Sequence, residues 1–164
     1  MMFREAISHL EHGDYKKAQT LLLALVKEKP NDAELHFYLA STYDGLGQEA
    51  EAIPSYQKAI ELGLTGIHYE KAFVQLGSSL RCIGKYEEAQ EIFQKGLKEF
   101  PENAALSAFL AITEYNLGHN RQSIQRLLGL LLKEPTNEWI HSYRKALTFY
   151  AKHLDETWTD TSDT

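Results

Sequence analysis

Apolar residues recur every three or four positions along most of this chain, in pairs of short runs separated by glycine. In one such unit, Leu39, Ala40 and Tyr43 share one face of a helix that ends before Gly47. A second run follows at once, with apolar residues on one face at Ala52, Tyr56, Ala59 and Ile60. The pattern predicts two antiparallel helices joined at a glycine, because a turn there favours positive φ.

The same unit occurs four times. Its turn glycines are Gly13, Gly47, Gly84 and Gly118, at intervals of 34, 37 and 34 residues. Each is followed five residues later by a small residue, namely Ala18, Ala52, Ala89 and Ser123. Small side chains allow two helices to approach closely. A period of about 34 residues built from two helices is typical of a solenoid, in which each repeat covers the apolar face of its neighbour.

Each unit keeps part of one consensus. The matching residues are Ala6, Gly13, Tyr15, Ala18, Leu22 and Pro30; His36, Leu39, Ala40, Tyr43, Ala52 and Tyr56; Phe73, Leu76, Gly77, Ala89, Phe93 and Pro101; Leu110, Ala111, Gly118, Leu127 and Pro135. They resemble the tetratricopeptide repeat, which has an aromatic-x2-Leu-Gly-x2-Tyr helix, an alanine-x3-aromatic helix and a closing proline. The resemblance covers residues 1 to about 136.

The resemblance implies an all-α fold, a right-handed α-α superhelix of about four helix pairs and a C-terminal capping helix. We expect repeats at about 1–32, 33–69, 70–103 and 104–137, a capping helix at 138–154 that completes a domain over 1–154, and a flexible acidic tail at 155–164. The cap should cover the leucines at 127, 128 and 130–132. Trp158 in the tail either makes no contact or docks into a groove.

Charge and composition limit the partners. The net charge is −6, and the lysines and arginines are dispersed among acidic residues, so nucleic acid is not an expected partner. No signal peptide or membrane span is visible, and a membrane partner is not expected. The one cysteine, Cys82, cannot form an internal disulfide, which suits the cytoplasm. Its thiol is either reactive or a half-buried bystander.

No pattern of catalytic residues is visible. Of the seven histidines, only His9 and His12 have one-face helical spacing, and no carboxylate or cysteine beside them completes a zinc signature. Nucleophile elbows and phosphate loops are also absent from the sequence. We therefore expect neither a metal nor a cofactor, and we predict that the protein is not an enzyme.

The resemblance also implies where a partner binds. In tetratricopeptide repeat proteins, the first helices of successive repeats line a concave groove that holds a peptide. Aligned by register, the expected groove residues are Phe37, Tyr38, Ser41, Lys71, Gln75, Ser78, Arg81, Phe109 and Ile112. Lys71 and Arg81 could hold a carboxylate by charge-assisted hydrogen bonds. The aromatic residues Phe37, Tyr38 and Phe109 fit a role in the core equally well.

One subtype of the family grips acidic chaperone tails with a carboxylate clamp of lysine, asparagine, asparagine, lysine and arginine. The corresponding positions here are Phe3, Ile7, Tyr38, Lys71 and Gln75, so only the second lysine is present. We therefore predict that this chain does not use the clamp.

Three classes of function are compatible with the sequence, and we rank them by how well the residues fit each class. A protein- or peptide-binding scaffold comes first, a peptide-responsive regulatory protein second and an enzyme a distant third. We also hypothesise a homodimer, because Leu23, Leu128 and Leu132 fall at positions of second helices that usually face water.

Overall fold

The computed structural model describes residues 1–133 and 136–156. Those residues form nine helices and no strand: α1 (Met2–Glu11), α2 (Tyr15–Glu28), α3 (Ala33–Gly45), α4 (Glu49–Glu61), α5 (Gly66–Cys82), α6 (Tyr86–Glu99), α7 (Ala104–Asn116), α8 (Asn120–Lys133) and α9 (Glu138–Lys152). Consecutive helices pack against each other, and the first helices α3, α5 and α7 also contact one another in sequence. The predicted solenoid of four helix pairs and a final helix is confirmed. Pro135 and Trp158 lie outside the described residues.

The four turn glycines occupy equivalent bends. Gly13, Gly47, Gly84 and Gly118 have φ values of 77°, 70°, 81° and 79°. After α3, the Gly47 N–H donates to the Asp44 carbonyl and the next N–H, of Gln48, donates to the Tyr43 carbonyl. The other three turns repeat this pair of bonds. These bonds satisfy carbonyls at the helix end, and positive φ is available to glycine without a Cβ penalty.

Small residues bring the two helices of each pair together. Ala18, Ala52, Ala89 and Ser123 are all buried. In the third pair the approach is closer still, because a Cβ on Gly77 of α5 would lie 2.4 Å from a ring carbon of Phe93 on α6. The Phe93 ring therefore occupies the space that a side chain at position 77 would need.

The apolar core runs continuously from one repeat to the next. Its larger part extends from Phe37 on α3 to Leu110 on α7 and includes the fully buried Tyr56, Phe73 and Phe93. A smaller part joins α1 and α2 to α3 through Ala6, Leu22, Leu35 and Leu39. From α1 to α7, each helix thus covers the one before it, as expected for a repeat protein.

The third pair begins earlier than predicted. Helix α5 starts at Gly66, four residues before the expected boundary at 70, and has 17 residues. Gly63 ends α4 with a φ of 85°, and the Leu64 N–H donates to the Ala59 carbonyl. Leu64 stands where the repeat consensus has its closing proline, and its side chain is buried. The three extra residues of this interval therefore lengthen the turn and the first helix.

Glu114 replaces the usual tyrosine of the fourth repeat and forms a buried ion pair. Its side chain is 5% exposed, and both of its oxygens accept bonds from the guanidinium of Arg126, at 2.7 and 3.0 Å. This bidentate geometry compensates for the free-energy cost of removing the carboxylate from water. The pair joins α7 to α8.

The last helix covers α8 less completely than expected. Leu127 is 44% exposed, whereas Leu22, Tyr56 and Phe93 at the equivalent positions of the other repeats are each 0% exposed. Helix α9 packs on α8, and the Arg144 guanidinium donates to the Leu132 carbonyl, but no residue of α9 is buried. The expectation that α9 would cover the leucines of α8 is therefore wrong for Leu127 and for Leu131, which is 43% exposed.

The exposed leucines also differ from those predicted. Leu23 is 46% exposed, as expected, but Leu128 and Leu132 are half-buried. The exposed stripe of α8 instead consists of Ile124, Leu127 and Leu131. Leu132 lies where α9 contacts α8, since its carbonyl accepts a hydrogen bond from the Arg144 guanidinium.

Two glycine substitutions test the close approach of the helices. We expect Gly77→Ala to lower the free energy of unfolding by about 1–3 kcal/mol, because the added methyl meets the Phe93 ring. Gly129→Ala in α8 should instead raise it by about 0.5–1 kcal/mol, since a Cβ there meets nothing within 4 Å. Urea denaturation measures both. Equal effects of the two substitutions would contradict this packing.

Candidate binding groove

A groove lies on the concave side of the first three repeats. Its walls are α1 and α5, and its floor is α3. Its volume is about 430 Å³, within the size range of ligand sites in proteins. The lining residues are Ile7, Leu10, Glu11, Tyr15, Phe37, Tyr38, Ser41, Gly45, His68, Lys71 and Gln75. The structure thus brings together Phe37, Tyr38, Ser41, Lys71 and Gln75 of the expected groove residues.

Aromatic side chains form the floor. Phe37 is only 3% exposed, meets Tyr56 of the core edge to face and has the His68 ring stacked on it at 4.8 Å. Tyr38 is half-buried and meets Phe3 of α1 edge to face at 5.6 Å. Phe37 therefore belongs to the core and lines the groove at the same time.

His68 is a lining residue that the sequence analysis did not identify. The Tyr38 hydroxyl lies 3.1 Å from His68 Nε2, and Glu34 Oε1 lies 3.5 Å from its Nδ1. Burial, followed by the negative charges of Glu34 and Glu11, raises the pKa of the Tyr38 phenol. Had the start of α5 been placed at Gly66, the spacing of His68, Lys71 and Gln75 would have indicated one helix face.

The other expected groove residues lie further along the concave side. Arg81 donates from Nη1 to Asn116 Oδ1 of α7 at 3.1 Å, and Phe109 is stacked on Phe93 with ring centroids 5.9 Å apart. Ile112 is 40% exposed and Ser78 is half-buried. None of these four residues lines the groove over α3.

A buried polar cluster lies beneath the groove and joins three helices. Asp44 of α3 accepts hydrogen bonds from the Tyr56 hydroxyl of α4 at 2.7 Å and from the Ser79 hydroxyl of α5 at 2.8 Å. Burial raises the pKa of the Asp44 carboxyl, although these two bonds act in the opposite direction. Burial and the neighbouring Asp44 charge also raise the pKa of Tyr56.

Several polar groups of the concave side have no partner among the described residues. Lys71 and Glu11 are exposed, and neither makes an ion pair there. The buried oxygen of the Gln75 amide and the buried Nε of Arg81 accept or donate no hydrogen bond. Buried polar atoms usually have partners, so these two atoms mark α5 as the helix with unused hydrogen-bonding capacity.

Residues 1–133 and 136–156 contain neither a cluster of metal ligands nor a membrane-spanning helix. No three histidine, cysteine, aspartate or glutamate side chains there lie close enough together to hold a metal ion. No helix in that part of the chain has the length and apolar character needed to cross a membrane. The single cysteine, Cys82, is exposed.

The polar cluster beneath the groove predicts an unusual dependence of stability on pH. Because the pKa of Asp44 is raised by folding, its favourable contribution is complete below its unfolded pKa of about 3.9 and is lost as pH rises through the folded pKa. The free energy of unfolding of the wild type, minus that of Asp44→Asn, should therefore decrease as pH rises from about 3 to 7.

Asp14→Asn is the matched control for this measurement by urea denaturation. The hydrogen bond from His9, and then the charge of Lys17, lower the pKa of Asp14, so its contribution is lost as pH falls. The corresponding difference for Asp14→Asn should have the opposite slope. A common slope for the two variants would contradict the assignment.

Comparison with known families and proteins agrees with this architecture. A family profile described as "Tetratrico peptide repeat" matches residues 33–154, and one described as "Tetratricopeptide repeat" matches residues 1–32. Among curated relatives, the chain is 24% identical over 148 residues to an Hsp70-Hsp90 organising protein of Plasmodium falciparum, covering 90% of this chain and 56% of that protein. It is 28% identical over 110 residues to small glutamine-rich tetratricopeptide repeat-containing protein 2 of Mycosarcoma maydis, covering 67% and 30%. The chain thus spans less than two thirds of either relative.

Solved structures share the fold. MamA of Desulfovibrio magneticus RS-1 has a TM-score of 0.74 at 17% identity, with 93% of this chain and 88% of that chain covered. YrrB, described as a TPR protein with an unusual peptide-binding site, has a TM-score of 0.71 at 18% identity, with 86% and 71% covered. At these identities the likeness concerns the fold alone. The two family profiles together span residues 1–154, and the chain belongs to the tetratricopeptide repeat family.

Proposed function

We propose that this protein is a non-catalytic scaffold that binds a peptide segment of a partner protein in its concave groove. The observation that carries the proposal is the groove over α3, which gathers apolar, aromatic and unpaired polar side chains on three adjacent helices. A concave surface of this kind suits peptide recognition. Relatives named as Hsp70-Hsp90 organising proteins and the YrrB structure described by its peptide-binding site support the same class of function.

The mode of binding proposed here differs from the carboxylate clamp. Two clamp positions are Phe3 and Tyr38, whose rings meet each other, and a third is Ile7, which is apolar. Only Lys71 offers a charge for a carboxylate in the groove. We therefore expect that this groove does not hold a chaperone tail by five polar side chains.

Two alternatives use the same fold. A peptide-responsive regulatory protein would bind in the same groove and would also change the pitch of the solenoid, since regulation requires two states of different affinity. An enzyme that used Ser41 as a nucleophile would need a general base beside its hydroxyl, whereas this hydroxyl donates to the Phe37 carbonyl at 3.1 Å. We place the scaffold first. We also propose a cytoplasmic location, because the single Cys82 cannot form an internal disulfide.

Blocking the groove tests the proposal. Ser41 lines the groove, so Ser41→Arg should fill it with a long side chain. Thr20→Arg on the exposed part of α2 is the matched control. Peptides are first selected on the wild type from a random library, and their affinities are then measured by fluorescence anisotropy.

We expect Ser41→Arg to weaken binding of the selected peptides by about tenfold or more, with Thr20→Arg close to wild type. Thermal denaturation of both variants checks that they are folded. Selected peptides that bind all three proteins equally would show that the concave groove is not the binding site.

The proposal also includes a homodimer, but its interface differs from the leucines that the sequence analysis indicated. We propose that two copies associate through α8, whose stripe of Ile124, Leu127 and Leu131 carries no charge and is 43–47% exposed. Charge-free apolar stripes are typical of the centre of a protein interface. A two-fold symmetric dimer would bring the two stripes together.

Sedimentation equilibrium at high micromolar concentration measures this association. We expect a wild-type dimer that Leu131→Asp converts to a monomer, because a charge would be buried without a partner. Leu23 is as exposed as the α8 stripe, but it is the only exposed large apolar residue of α2, so we expect Leu23→Asp to leave the dimer intact. A monomeric wild type, or a dimer lost equally in both variants, would contradict association through α8.

A further inference from the structure

The two walls of the groove carry opposite charges. Glu11 lies on the α1 wall and Lys71 on the α5 wall, with the uncharged residues Phe37 and Ser41 between them. Both charged side chains are exposed, and no ion pair holds either of them among the described residues. Glu34 is already engaged, since its Oε1 lies 3.5 Å from His68 Nδ1. The groove is therefore negative on one side and positive on the other.

Gln75 adds an unused amide to the positive wall. Its side chain lines the groove, makes no hydrogen bond to another described residue and has a buried, unpartnered Oε1. No hydrogen bond to a described residue holds this amide, so it can turn toward a ligand without losing one. A carboxamide has the same acceptor and N–H donors as a peptide unit. It can therefore form two parallel hydrogen bonds with the main chain of a bound segment.

Pairing with Gln75 requires an extended segment. In a helix the main-chain N–H and C=O groups are bonded to each other and are not available to a side chain. In an extended chain those groups are free, and successive side chains point to opposite sides. These side chains are perpendicular to the main-chain hydrogen bonds. A segment bonded from below by the half-buried Gln75 amide would therefore direct one side chain toward α5 and the next toward α1.

We propose that the groove binds an extended segment in which an acidic residue adjoins a basic one. The acidic side chain pairs with Lys71, the basic side chain pairs with Glu11, and the main chain pairs with the Gln75 amide. This inference rests on the proposed function and specifies the partner. A segment of uniform charge would place a like charge against one wall, which lowers affinity.

Charge reversal of one wall tests this preference. The probes are three blocked hexapeptides with central Glu-Arg, Glu-Glu or Arg-Arg pairs and alanine elsewhere, titrated into nitrogen-15-labelled protein and followed by NMR. For the wild type we expect the Glu-Arg peptide to bind about two- to fivefold more tightly than either like-charged peptide. Its binding should shift the side-chain amide signals of Gln75, identified with Gln75→Glu.

The ranking should change in the variants. Lys71→Glu makes both walls negative, so the Arg-Arg peptide should become the tightest ligand; Glu11→Lys should favour the Glu-Glu peptide. Lys27→Glu, at an exposed site on α2 outside the groove, changes the net charge by the same amount as Lys71→Glu and should keep the wild-type ranking.

The two proposals fail in different ways. An unchanged ranking in Lys71→Glu, or no binding of any hexapeptide at the groove amides, would overturn the charge preference. The scaffold proposal would survive that result, provided that library-selected peptides still lose affinity in Ser41→Arg. If those peptides bind Ser41→Arg as tightly as the wild type, the groove is not the peptide-binding site.

Discussion

Close approach of paired helices is the constraint on which this structure depends. It requires a residue with little or no side chain at the point of closest approach of two paired helices. Gly77 is such a residue, because the Phe93 ring occupies the space that its side chain would need. The buried alanines that follow the turn glycines meet the same requirement in the first three pairs. When the two helices of each pair are packed closely, each first helix can cover the second helix of the preceding pair. The row of first helices then forms the concave side, where α1, α3 and α5 enclose the groove.

The same constraint explains the exposed end of the solenoid. Counted from the repeat register, α9 has Arg144 where α3, α5 and α7 have buried leucines, and Lys145 where they have alanine or glycine. Seating α9 as a normal first helix would bury two charges without partners, which is costly. Arg144 instead donates to the Leu132 carbonyl, and Leu127 stays exposed. The end of the fold is thus set by two charged residues in one helix.

Local periodicity predicted most of the fold and about half of the groove. The spacing of the glycines and the small residues was sufficient, because both report on packing that repeats along the chain. Hydrogen bonds between side chains on different helices were not predicted. Arg126 opposite Glu114 and Ser79 beside Asp44 follow no repeat consensus. Tyr56 is a consensus aromatic residue, but its hydrogen bond to Asp44 was not predicted. His68 was missed because three extra residues moved the start of α5. The half-burial of Leu128 was not predicted either.

If each helix is stabilised mainly by its neighbours, protection should differ along the chain. Native-state hydrogen exchange of the backbone amides measures this directly. The structure predicts that amides of α4, α5 and α6, which are covered on both sides, exchange most slowly, and that amides of α9, which has no buried residue, exchange through an earlier and separate opening. Protection of α9 equal to that of α5 would contradict the account.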